Sequence, residues 1–125
     1  MKPITHYRMM QEKKEEVYNA YHEGKYSVVG DLAIKVVEQA LEADACRKVK
    51  RHLGGHEERM QHATHHLSRD IGRKVGELFR IYGRLGYDGE DGIRAKRALA
   101  LVNEVLEFLE RKWGEKIGIE HPERY

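Results

Sequence analysis

Between Val28 and Ala45 the chain reads VVGDLAIKVVEQALEADA. On a helix, its charged positions Asp31, Lys35, Glu38 and Glu42 fall in a stripe only about 60° wide, and nearly everything else is apolar. A helix that offers so little of its circumference to water has to be packed on two or three sides. It is therefore predicted as the central helix of a bundle, running from about Tyr26 to His52 and stopped by Gly54-Gly55.

The remaining segments read as its wrapping. From about Thr5 to Glu23, Met10, Val17, Tyr18 and Tyr21 recur at helical spacing opposite Lys13, Lys14, Glu15 and Glu16, and Gly24 stops the pattern. From about His56 to Leu85, Met60, Ala63, Leu67, Ile71, Val75, Leu78, Tyr82 and Leu85 recur at steps of three and four, which predicts one continuous third helix. Gly72, Gly76 and Gly83 lie beside that stripe, where missing side chains let another backbone approach. The linker YDGEDG offers Asp88 or Asp91 as an N-cap for a fourth helix from about Asp91 to Trp113, closed by Gly114. The tail EKIGIEHPERY has no periodicity and is expected to be poorly structured from about residue 114. Four helices joined by short glycine-marked turns predict an all-α, antiparallel up-and-down four-helix bundle spanning the chain as a single domain.

Composition narrows the function classes. A chain of 125 residues with 35% charged and 40% apolar residues suits one soluble core, and no uncharged apolar run is long enough to span a membrane. The N-terminus MKPITHYRMM lacks an apolar signal core and Cys46 is the single cysteine, so a cytoplasmic protein without an intrachain disulfide is expected. A net charge of +2 and a pI near 8.6 are too mild to indicate nucleic-acid binding unless positive charge is concentrated on one face. Abundant Lys, Arg and Glu with scarce Asn, Gln and Cys match the bias of proteins from heat-loving organisms.

Local chemistry is suggested at three places. His52, His56, His62, His65 and His66 crowd one turn-and-helix region, and His62 and His66, four apart, share a face on which two imidazoles can reach one metal ion, with Glu58 one turn before. A ribonuclease site needs an Arg to stabilise charge on phosphate and a His to move the 2′-hydroxyl proton, and Arg51 with His56, or Arg59 with His65, have suitable separations. Arg47, Lys48, Lys50 and Arg51 finish the second helix while Arg69, Arg73 and Lys74 line the third, and such clusters bind phosphate of a nucleotide or RNA. The helix dipole alone also favours basic residues at the end of the second helix. No Walker loop, dinucleotide fingerprint, nucleophile elbow or zinc-ligand cysteine pair occurs, so no cofactor is expected, and Cys46 reads as a small core residue.

Several of these strings together suggest a family. The turn Glu23-Gly24-Lys25-Tyr26, the segment Val36-Val37-Glu38-Gln39-Ala40-Leu41-Glu42-Ala43, the pair His66-Leu67 and the last helix from Ala98 to Leu109 resemble the HEPN superfamily over about Val17 to Leu109. The resemblance implies a four-helix bundle, usually a homodimer, in a superfamily of nucleotide-binding modules, partners of minimal nucleotidyltransferases, and ribonuclease toxins of toxin-antitoxin pairs. The toxin branch carries an Arg, four to six residues, then a His near the start of its last helix. Here that helix has Arg94 and Arg97 but no His, which points to a non-catalytic module that binds a nucleotide or a partner protein.

The apolar arcs also predict self-association. The second helix presents about 200° and the fourth about 180°, more than the roughly 100° to 140° that burial in one bundle requires. Ile34, Leu41 and Ala45, with Leu99, Leu106 and Trp113, are the expected homodimer surface.

Overall fold

All regular structure in the computed structural model is helical; it describes residues 3–48, 52–88 and 92–114, and the side chains of 5–48, 52–82 and 92–114. Five α-helices are present among them: α1 (Pro3–His22), α2 (Tyr26–Lys48), α3 (His56–His62), α4 (Arg69–Asp88) and α5 (Gly92–Trp113), with a π-helical turn at Ala63–Leu67. None of the described helices is long and apolar enough to cross a membrane. Of the two expected N-cap residues, Asp88 ends α4, and Asp91, like the tail beyond Gly114, lies outside the described residues.

α2 occupies the centre, touching α1, α3, α4 and α5. Val29, Ala33, Val36, Val37, Ala40, Leu41 and Ala43 are all fully buried, as the narrow polar stripe requires. α1 ends at Gly24, whose φ of +74° is left-handed, a conformation that costs glycine little, and Lys25 donates its backbone N–H back to Ala20 O. The core is completed by Ile71, Val75 and Leu78 of α4 and by Ala98, Leu101, Val102, Val105 and Leu109 of α5.

Two expectations are corrected. The third helix is not continuous: after the π turn, Ser68 adopts an extended backbone (φ −162°, ψ 161°) and its Oγ accepts the Ile71 N–H at 3.0 Å, capping a new helix. A serine cap won over uninterrupted apolar periodicity, so five helices replace four. The break folds the π turn back onto α4, where a Cβ on Gly72 would lie 3.1 Å from the Thr64 Cα. The close approach expected of the glycine stripe is therefore made at Gly72 by the chain's own preceding turn.

The second correction concerns the surplus apolar face. Ile34 is 2% exposed, and Leu41, Ala45, Leu99 and Leu106 are fully buried within one subunit. Trp113 is half-buried, with the Arg47 guanidinium 4.1 Å above its ring. The arcs of α2 and α5 are wide because these two helices meet more than two neighbours: α2 packs against four others and α5 against three.

Candidate functional site

Among the described residues, charged side chains gather around open space along α4 and the first half of α5. Helical spacing aligns Arg69, Arg73, Lys74, Glu77 and Arg80 along one side of α4, and Arg97 of α5 closes the opposite wall. Gly72, Gly76, Thr64 and Met60 complete the lining of a groove of about 730 Å³. It continues toward Ile81, Ile93 and Arg94 in a second depression of about 370 Å³ that shares Glu77, Arg80 and Arg97.

Five cationic side chains (Arg69, Arg73, Lys74, Arg80, Arg97) line the main groove against two acidic ones (Asp70, Glu77). Arg97 donates from Nε and Nη2 to the two Glu77 oxygens at 2.7 and 3.1 Å, a bidentate pair that holds the Glu77 carboxyl below its ordinary range. Asp70 is likewise pushed down, by hydrogen bonds from Lys74 and then Arg73. Both acids therefore stay ionised at neutral pH, position the cations, and leave the groove with positive charge in excess.

Of the residues expected to bind phosphate, Arg69, Arg73 and Lys74 stand in this groove, Arg47 covers Trp113 at the far end of α5, and Lys50 and Arg51 lie outside the described residues. Arg80 escaped the sequence reading, and Arg94 and Arg97 were read only as arginines of a last helix without a His, not as phosphate ligands. Their spacing from Arg73 on α4, and their place early in α5, become meaningful only once the two helices lie side by side.

The expected Arg/His pairs have other surroundings. Arg59 donates from Nη1 to Glu38 Oε2 and from Nε to Glu42 Oε2, and His56 Nδ1 also reaches Glu38. Glu42 accepts the backbone N–H groups of Leu53 and Gly54 at 2.8 and 3.0 Å. Burial pushes its carboxyl up, but these two amides and the Arg59 guanidinium outweigh burial and hold it below its ordinary range. Glu38 and Glu42, placed by periodicity on a wet stripe, are thus buried beneath the 52–55 loop and α3, which they fasten to α2. His65 stands exposed on the π turn.

His62 and His66 stack, with ring centroids 4.8 Å apart and planes at 25°, and the buried His62 donates from Nε2 to Asp44 Oδ2 at 2.7 Å. Asp44 is fully buried and also accepts Lys112 Nζ at 2.8 Å and Trp113 Nε1 at 2.8 Å. Sequence reasoning missed Asp44, although a signal was present: it projects roughly opposite the charged stripe of α2, from the apolar side, where a carboxylate must find partners. A separate cluster joins His6 of α1, Cys46 near the end of α2 and His52 of the following loop, with one ligand atom from each lying within 4.8 Å of the others.

No family model, curated protein or solved structure matches this chain. What the protein does must be read from its side chains.

Proposed function

We propose that the protein is a non-catalytic, HEPN-like helical module of the up-and-down bundle type that binds a nucleotide through the α4–α5 groove. The observation that carries this reading is the excess of five cations over two acids around a groove of about 730 Å³, within the range of small-molecule pockets. Guanidinium groups suit phosphate because their planar fork donates two parallel hydrogen bonds to its oxygens. Asp70 and Glu77 hold three of the cations in place, so part of the ordering cost of binding is met before a ligand arrives. The packing of α2 against α1, α4 and α5 is what supports the bundle description.

Homodimerisation and a nucleotidyltransferase partner are carried over from the family resemblance. Either association has to use what the subunit leaves outside, including the exposed Val28, Tyr82 and Ile93, and not the buried faces of α2 and α5. A metal-independent ribonuclease has less support, because the Arg59 guanidinium is already engaged by Glu38 and Glu42 and is poorly placed to meet a scissile phosphate.

Calorimetric titration with ATP tests the proposal. Heat of binding is expected at millimolar ligand or below, decreasing as salt is raised. Since a charge-assisted hydrogen bond contributes on the order of 1.5 to 3 kcal/mol, Arg69→Ala and Arg80→Ala should each weaken binding by about tenfold or more. No heat at millimolar ATP, or equal heat in both variants, removes the nucleotide-binding reading.

A further inference from the structure

The histidines and the lone cysteine acquire a different meaning once α1 is laid against the end of α2. Three segments far apart in sequence converge there: His6 is buried on α1, Cys46 is half-buried on α2, and His52 is exposed at the start of the loop. His6 Nδ1 lies 2.7 Å from Gln39 Oε1. An amide oxygen can only accept, so Nδ1 carries the proton and Nε2 presents its lone pair. That lone pair accepts the His52 Nδ1–H at 3.2 Å, a hydrogen bond that a shared ion would replace as the His52 proton moves to the other ring nitrogen, and the Cys46 Sγ lies 3.9 Å from the same His52 Nδ1.

We propose that His6 Nε2, Cys46 Sγ and His52 Nδ1 form a binding site for one Zn²⁺ ion, with the fourth position open to water. Tetrahedral zinc with bonds of about 2.05 Å to nitrogen and 2.3 Å to sulfur places two nitrogens roughly 3.3 Å apart and a nitrogen and sulfur roughly 3.6 Å apart. The observed 3.2 and 3.9 Å lie close to both, and all three ligand atoms lie within 4.8 Å of one another, so side-chain movements of about an ångström complete the geometry. The imidazole planes of His6 and His52 cross at 65°, and their ring nitrogens lie near the Cys46 Sγ. The His62 and His66 rings instead stack at 25°, with one nitrogen already committed to Asp44.

The surroundings supply what metal sites usually have beyond their ligands. Gln39 fixes the tautomer and orientation of His6, the role an outer carbonyl commonly plays for a ligating imidazole. Glu42 holds the 52–55 loop through the amides of Leu53 and Gly54, and so sets His52 beside Cys46. One thiolate with two imidazoles is a donor set that zinc accepts readily. Bound there, the ion ties α1 to the α2 end and its loop.

Untagged protein, stripped with chelator, is to be titrated with Zn²⁺ against a chromophoric competitor, with Co²⁺ as a spectroscopic substitute. One equivalent per chain is expected, with a thiolate-to-cobalt charge-transfer band and a melting temperature raised by several degrees. Cys46→Ser should abolish the band, and His52→Ala, at an exposed position, should weaken Zn²⁺ binding at least tenfold while circular dichroism stays unchanged. His66→Ala should alter neither stoichiometry nor affinity. Failure to bind a full equivalent, a cobalt spectrum without a thiolate band, or binding lost in His66→Ala but kept in Cys46→Ser and His52→Ala would overturn the assignment.

Discussion

Replacing Asp44 by Asn is expected to destabilise the fold by about 3 kcal/mol, within the range for breaking a buried charge network by removing one partner. The carboxylate is fully buried and collects four donated hydrogen bonds: two from Lys112 Nζ, one from Trp113 Nε1 and one from His62 Nε2. An amide of the same shape turns one acceptor into a donor, which then faces another donor, and the Lys112 ammonium loses its counter-charge. Because these partners come from the π-turn region and the end of α5, the whole α2–α5 end should loosen. Urea unfolding followed by circular dichroism measures the change in midpoint.

Acid should expose the same group. Burial pushes the Asp44 carboxyl up, but the hydrogen bonds from His62, Lys112 and Trp113 bring it down to about 2 from an ordinary 3.8. A carboxylate depressed in the folded state contributes stability that is fully present above its unfolded value and is lost as pH falls through the folded one. The shift corresponds to about 2 kcal/mol, lost between roughly pH 4 and pH 2. Wild-type stability should therefore fall across that window by about this much more than that of Asp44→Asn. Equal pH slopes for the two proteins would refute the role given to Asp44.

Placing a charge at Ile34 should unfold the subunit itself. The side chain is 2% exposed and belongs to the buried hydrophobic cluster. A carboxylate without a partner there costs on the order of 4 kcal/mol or more, against a total stability of about 5 to 15 kcal/mol. Ile34→Glu is thus expected to lose helical circular dichroism or to unfold in far less urea. Val28→Glu, two turns away at a position 40% exposed, should stay within about 0.5 kcal/mol of wild type. A well-folded Ile34→Glu protein that differs only in association state would place Ile34 on an interface, as the apolar arc of α2 alone suggested.

The helical class and the centrality of α2 were legible because burial on all sides leaves a compositional trace that no amphipathic surface helix shows. The break after the π turn was harder to see: the apolar residues keep their spacing through it, and only Ser68 three residues before Ile71 marks the new cap. Periodicity also put Glu38 and Glu42 in water, whereas a loop and α3 cover them, because pattern within one helix cannot report what folds over it. Asp44 stood out of its stripe and could have been found. Three of the five groove cations were legible, Arg69, Arg73 and Lys74, through their clustering on α4. Arg97 was not, since its partner Glu77 is twenty residues earlier and meets it only through the packing of α4 on α5.

The α4–α5 groove is tested most directly by watching its arginines. Side-chain Nε–Hε resonances report each guanidinium separately, so a titration with ATP at moderate salt locates the phosphate without any substitution. Progressive shifts are expected at Arg69, Arg73, Arg80 and Arg97, with Arg47 on Trp113 and Arg59 of α3, held by Glu42, unmoved. Groove resonances that stay still at millimolar ATP, or larger shifts at Arg47 or Arg59, would contradict it.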